Sequence, residues 1–270
     1  EYSEYKMIIE GASRLEAPSF DRQKIFDGIK EKTPAKKEVK AKRLIPNWVY
    51  GAAAAIVLFL GYMFMFNETN YTAGFGQKIA FNLPDDSEVQ LNSGSKVSFD
   101  PGSWADDRSL TLDGEAFFKV KKGATFTVNT KEGKVTVLGT QFTVNSRNGL
   151  YQVKCYEGKV SVSVDGKEAM LELGDAVLLQ DGSLKKQQFE AESPEWLSGE
   201  TRFNNIPILQ VVEEIERQYG VTILGKKNLN SDTFTGRFTH NDLDQTLKTV
   251  FVAMEIPYTF DGNTSVSILK

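Results

Sequence analysis

The feature that most constrains this chain is the run WVYGAAAAIVLFLGYMFMF, Trp48 to Phe66, nineteen residues without a charge. As a helix it would rise about 28 Å, close to the ~30 Å hydrocarbon core of a bilayer. A buried soluble helix normally keeps a polar stripe, and this run has none. Trp48 and Tyr62 stand where interfacial aromatics are expected. The run is too long and too far from the start to be a signal peptide. It reads as a single transmembrane helix over residues 44–66, lengthened slightly by Leu44 and Ile45. Seven basic residues lie between Lys30 and Arg43, against Glu31 and Glu38, whereas no Lys or Arg follows Phe66 before Lys78. The positive-inside rule then places the N-terminus in the cytoplasm and residues 67–270 outside. Residues 1–43 carry net charge +3 and residues 67–270 net −7, so the whole-chain value of −4 hides a division. Because the chain begins with Glu1 rather than Met, residues preceding it are expected.

Residues 1–43 read as a cytoplasmic helical segment. Tyr5, Ile8 and Ile9 share one helical face. Pro18-Ser19 resembles a second helix start, with Asp21 in its first turn and Ile25, Phe26 and Ile29 on one face. Two short amphipathic helices bury little core unaided, so these apolar faces are expected to dock on a partner or complete a larger helical domain.

After a short linker, 67–73, the pattern changes. Alternating runs such as EVQLN, KVSFD, FFKVKK, KVTVLG, QFTVNS and KVSVSV are separated by turn pairs including Asp113-Gly114, Asn148-Gly149, Asp165-Gly166 and Asp181-Gly182. Alternation with such turns is a strong hairpin signal. Residues 74–189 therefore read as an all-β domain: a sandwich, barrel or solenoid-like stack. With one Cys (Cys155) and one His (His240), a Cys/His zinc site and an internal disulfide framework are excluded. The adjacent pairs Asp85-Asp86 and Asp106-Asp107 read as turn residues rather than converging acid/base carboxylates. Glu115 could serve a function, but a salt bridge or cap is the commoner fate. No phosphate-cradling loop or nucleophile elbow is present, so the expectation is no enzyme and no cofactor.

The blocks LPDDSEVQLNSGSKVSF, LTLDGEAFFKV, FTVNT…VTVLGTQFTVNS and VKCYEGKVSVSV, in that order, resemble the FecR family of sigma regulators, anti-sigma factors of bacterial cell-surface signalling. Asp86 stands where the family commonly has Gly, a position Asp tolerates in a left-handed turn. Some members are cut between Gly and Thr in the VLGT block by a self-catalysed acyl shift, and the matching pair here is Gly139-Thr140. The bland reading is that Gly139 marks a β-bulge. The resemblance also makes Ile25, Phe26 and Ile29 candidate sigma-factor contacts.

Glu190 to Leu197 reads as a linker. Residues 198–270 then read strand-helix-strand twice, a small α/β domain. Its string FNN-x-x-I-L-x-x-V-x-x-x-I-x-x-x-YGV-x-I resembles the secretin/TonB short N-terminal domain that ends FecR-like proteins of the Bacteroidetes. His240 sits at a strand-to-helix junction, where a capping or surface role is expected. The fold class expected is thus multi-domain: a cytoplasmic helical piece, one transmembrane helix, an all-β periplasmic domain and a small α+β domain. The resemblance implies a single-pass anti-sigma factor of the bacterial inner membrane for an extracytoplasmic-function sigma factor, answering a signal from the signalling domain of a TonB-dependent outer-membrane transporter. The alternatives are a membrane-tethered periplasmic binding module and, from a third class, a membrane-anchored hydrolase.

Overall fold

The structure is a computed structural model that describes residues 7–11, 19, 21–32, 46–65, 68–147, 149–190 and 192–270. Expectations placed on Tyr5, on Pro18, on Lys36 to Arg43, on Phe66 and on Asn148 fall outside the described residues. The chain divides into two units, Glu1–Ile56 and Val57–Lys270.

In the first unit, residues 7–11 are helical and helix α1 spans Arg22–Lys32. Asp21 does not lie in the first turn of α1 but precedes it: its Oδ1 accepts the N–H groups of Gln23 and Lys24, at 3.1 and 3.3 Å. A short acidic side chain there satisfies two orphan donors and faces the positive end of the helix dipole.

Helix α2 spans Asn47–Met65. Among the described residues no helix is long and apolar enough to cross a membrane. This overturns the transmembrane helix expected over residues 44–66, and with it the four-part fold class and the single-pass inner-membrane placement. Of the span expected over 44–66, the described helix α2 covers Asn47–Met65 and opens on the polar Asn47. The chain is instead predominantly β.

In the second unit, thirteen strands form one sheet: β1 (Thr69–Ala73), β2 (Ile79–Asn82), β3 (Glu88–Leu91), β4 (Ser95–Phe99), β5 (Arg108–Lys119), β6 (Phe126–Asn129), β7 (Lys134–Val137), β8 (Gln141–Arg147), β9 (Leu150–Glu157), β10 (Lys159–Val164), β11 (Lys167–Glu172), β12 (Asp175–Gln180) and β13 (Ser183–Gln188). The long β5 belongs to two arms. Arg108–Asp113 pairs with β4 and β6, and Gly114–Lys119 pairs with β3 and β8. The first arm runs β1-β4-β5-β6-β7-β10-β11 and the second β2-β3-β5-β8-β9-β12-β13. Successive hairpins alternate between the arms, which fold over one core that includes Val89, Leu112, Phe118, Phe126, Phe142 and Tyr151. The sheet is thereby nearly closed and barrel-like. Gly114 sits where β5 passes between arms, at φ 117°, and a Cβ there would lie 2.6 Å from the Ser95 side chain. Only glycine fits that crossing. Asp86 adopts φ 62° in its turn, the left-handed conformation expected of it.

A smaller lobe follows: β14 (Glu200–Pro207), α3 (Ile208–Tyr219), β15 (Thr222–Leu224), β16 (Thr233–Thr239), α4 (Leu243–Leu247, continued as a π-turn over Lys248–Val252), β17 (Tyr258–Phe260) and β18 (Ser265–Ile268). The two strand-helix-strand passages interleave. The first strands of each, β14 and β16, pair antiparallel; β15 pairs parallel with β18, which pairs antiparallel with β17. Ile208, Val211, Val212 and Ile215 of α3 bury against Leu247, Val250, Phe251 and Val266. Gly220 ends α3 in the left-handed conformation, φ 67°, and Asp242 caps α4 through the Gln245 N–H at 2.9 Å.

Candidate functional site

Strand β8 leads from one candidate region to another. At its start, Gly139 and Thr140 lie in the corner where the chain leaves β7 in the first arm and enters β8 in the second. The expected β-bulge is close by but not at Gly139: the register shift falls between Gln141 and Phe142, opposite Glu157 and Cys155. Gly139 adopts φ 156°, and a Cβ there would lie 2.6 Å from Lys122 Cγ and 2.8 Å from its Cα. Across the pair stands Gly158, where a Cβ would come within 3.0 Å of the Gly139 carbonyl oxygen and 2.9 Å of Thr140 Oγ1. Two glycine approaches thus hold this peptide. Thr140 is 3% exposed and its hydroxyl donates to the Lys159 carbonyl at 3.0 Å. A shallow cavity of about 210 Å³ opens beside the pair, lined by Glu88, Lys119, Lys121, Lys122, Gln141 and Glu157. Its charged lining residues, Glu88, Lys119, Lys121, Lys122 and Glu157, are exposed, and no imidazole lines it.

At the other end of β8, Arg147 enters a buried polar cluster between the sheet and the small lobe. Strict alternation would leave Glu115, Phe117, Thr143 and Arg147 on a solvent face of the second arm. Instead Phe117, Thr143 and Arg147 are buried, because the lobe and the segment leading to it cover that face. Phe117 and Tyr156 pack with Trp196, Phe189 and Leu197 of that segment, so the expected linker is a strap. Arg147 Nη1 lies 3.2 Å from Glu214 of α3 and 3.7 Å from Glu115 of β5. Its Nη2 donates to the Ser93 carbonyl (2.7 Å) and Ser95 Oγ (2.6 Å). Asn92 donates to Glu115 (2.8 Å) and accepts from Gln218 (2.9 Å). Burial pushes the Glu115 carboxyl up, only partly opposed by Arg147. Burial acts on Glu214 too, but Arg147, Arg217 and Gln218 outweigh it and hold that carboxyl low.

At the rim, Lys78 Nζ donates to the Trp196 carbonyl (2.6 Å) and to His240 Nδ1 (2.9 Å), while Thr201 Oγ1 meets Nε2 at 2.8 Å. A neutral ring with its proton on Nε2 satisfies both contacts. Burial and the Lys78 charge lower the imidazole value to about 4. His240 is therefore a half-buried interlobe clasp rather than the cap or surface residue expected. In the first unit, Ile25, Phe26 and Ile29 of α1 are 50%, 70% and 57% exposed.

Two family models match: "FecR protein" over residues 69–161 and "FecR, C-terminal" over residues 200–267. Together they span more than half of the chain. The chain belongs to the FecR family. Members of this family are regulators rather than enzymes. Two crystal structures, at 2.50 and 1.65 Å resolution, of a candidate anti-sigma factor from Parabacteroides distasonis ATCC 8503 are similar to it. Each is 27% identical and covers 75% of this chain and 99% of its own, with TM-scores of 0.69 and 0.68. No curated protein matches.

In this FecR protein the sequence reading singled out Glu115 and His240 but missed Arg147, Glu214 and Lys78 as their partners. Glu214 and Gln218 lie on the polar side of an amphipathic helix, which reads as a solvent face. No local signal marks them, because their partners lie 67 and 126 residues away.

Proposed function

We propose that this protein is an anti-sigma factor that holds an extracytoplasmic-function sigma factor through its N-terminal segment, and that its folded β-rich unit receives the releasing signal. The likeness to the Parabacteroides anti-sigma factor, over 99% of that chain, carries this reading. Helix α1 supports the contact: Ile25 and Phe26 stand exposed on a capped helix, as an apolar face for a partner groove would. The signal is proposed to come from the signalling domain of a TonB-dependent transporter. Strand β17 stands at the end of its three-stranded sheet and offers an edge for strand addition. Co-purification from the native cell tests both contacts. A sigma factor should be recovered with the wild-type chain and lost with Ile25→Asp/Phe26→Asp. A transporter signalling domain should be recovered with both. Recovery of no sigma factor would sink the main proposal; recovery of a sigma factor without the transporter domain would sink the relay alone.

We further propose that Gly139-Thr140 is a self-cleavage site, supported by its positive-φ glycine and the clearance that Gly158 leaves at the Gly139 carbonyl. Thr140 Oγ would attack the Gly139 carbonyl carbon, the Gly139–Thr140 C–N bond would break as the amine takes the hydroxyl proton, and water would hydrolyse the ester. The hydroxyl must first leave the Lys159 carbonyl. Intact-mass measurement should find fragments ending at Gly139 and starting at Thr140, absent in Thr140→Ala. A wild-type chain that stays whole under native conditions would refute it.

A further inference from the structure

The buried cluster between the sheet and the small lobe can be divided along the interface into two halves, each already paired. On the lobe side, Glu214 accepts from Arg217 (2.8 Å) and Gln218 (2.7 Å), both on α3 itself. On the sheet side, Arg147 lies beside Glu115 and donates to Ser93 and Ser95, while Asn92 donates to Glu115. Each half holds one arginine and one glutamate. The contacts that cross include Arg147–Glu214, Gln218–Asn92, Ser93–Gln218 (3.5 Å) and the Gly76 N–H to the Arg217 carbonyl (2.7 Å), with Lys78–His240 at the rim and the exposed pair Arg202–Glu195 (2.9 Å) between lobe and strap.

Removing one partner of a buried ion pair is costly because the other charge is left uncompensated. Here separation strips neither side of its last counter-charge. The apolar part of the contact behaves differently. Phe189, Trp196 and Leu197 pack on Phe117 and Tyr156, so they hold the strap to the sheet rather than the lobe. Directly after the strap comes Gly199, left-handed at φ 82°, with nothing within 4 Å of where a Cβ would stand. No side chain blocks rotation there, and two backbone bonds restrain it: the Gly199 N–H donates to the Trp196 carbonyl (3.2 Å) and its carbonyl accepts the His240 N–H (2.8 Å).

We infer that the small lobe is a reversible cover that swings about Gly199 as a folded body, leaving the strap and the thirteen-stranded sheet in place and uncovering Asn92, Glu115 and Arg147. The interface is polar where it opens and apolar where it is tethered, the pattern of domains built to separate.

Thiol labelling of the full chain tests this. Cys155 is fully buried in the sheet core and reports unfolding of the sheet. Ser93, 1% exposed beneath Gln218, becomes a reporter of lobe lifting through Ser93→Cys. The introduced thiol should react with Ellman's reagent at least tenfold faster than Cys155. Adding Glu214→Gln should speed it several-fold again without changing Cys155. Equal rates for the two thiols would overturn the inference. If Ser93→Cys does not fold, amide exchange in the wild type decides: the Gly76 N–H should exchange at least tenfold faster than ladder amides of Phe118 and Val144, and equal exchange would overturn the inference.

Discussion

At the scale of single residues, the LPDDS block shows how one ion pair fixes a corner of the sheet. Arg108 Nε donates to Asp85 Oδ2 at 2.8 Å, and its Nη groups reach the Asp85 carboxylate and the carbonyls of Ala124 (2.6 Å) and Lys121 (3.1 Å). Asp85 also accepts from Ser87. The side chains are 8% and 17% exposed. Arg108→Met keeps the apolar stem over Phe126 but leaves the Asp85 carboxylate uncompensated. We expect it to cost about 3–5 kcal/mol, the range for breaking a buried pair, measured by urea denaturation; a loss below about 1 kcal/mol would mean water replaces the guanidinium. Burial alone would raise the Asp85 carboxyl, but Ser87 and Arg108 outweigh it and hold it low. Its contribution is therefore present above its unfolded value and lost as pH falls through the lower folded one. The turn role of Asp85 was legible in the sequence. Its partner was not, because Arg108 opens a different strand and reads locally as one more charge.

At the scale of elements, the strap from Phe189 to Leu197 departs most from its sequence. A polar stretch with Pro194 reads as a linker, yet Trp196 is 6% exposed and centred on Phe117 and Tyr156. Trp196→Ala should cost about 3–5 kcal/mol, as for large aromatic truncations in cores, read as a lowered midpoint of thermal unfolding. An unchanged midpoint would show that the strap only lies on the sheet. The strands themselves were legible: alternation and Gly turns mark β3, β4, β7 and β10 within a residue or two. Strands β5 and β8 were legible as strands but not as doubly buried ones. Their outer positions carry Glu115, Asn145 and Arg147, which look solvent-facing until another element covers them. Helix α2 departs the other way: its apolar run is visible in the sequence, yet among the described residues no helix is long and apolar enough to cross a membrane.

At the scale of the whole molecule, His240 links stability to pH. Lys78, Thr201 and Glu214 face it from β2's approach, β14 and α3. The folded imidazole titrates near 4 against an ordinary 6.5. The unfolded chain therefore binds the extra proton between those values, so this contribution is full above about pH 6.5 and lost as pH falls toward 4. The thermal midpoint should drop between pH 7 and pH 5 more steeply in the wild type than in His240→Asn. Parallel slopes in the two proteins would assign the dependence to other groups. The sequence by itself determined the strands, the glycine and Asp turns, and the likeness to FecR proteins, because each is written in neighbours a few residues apart. Only the tertiary structure decided that the second arm is covered on its outer face at Phe117, Thr143, Arg147 and Tyr156, that Arg147 meets Glu214 and that Lys78 meets His240. Those pairings join residues 67 and 162 positions apart, and local periodicity records whether a side chain faces one layer of core, not what a second layer brings against its other side.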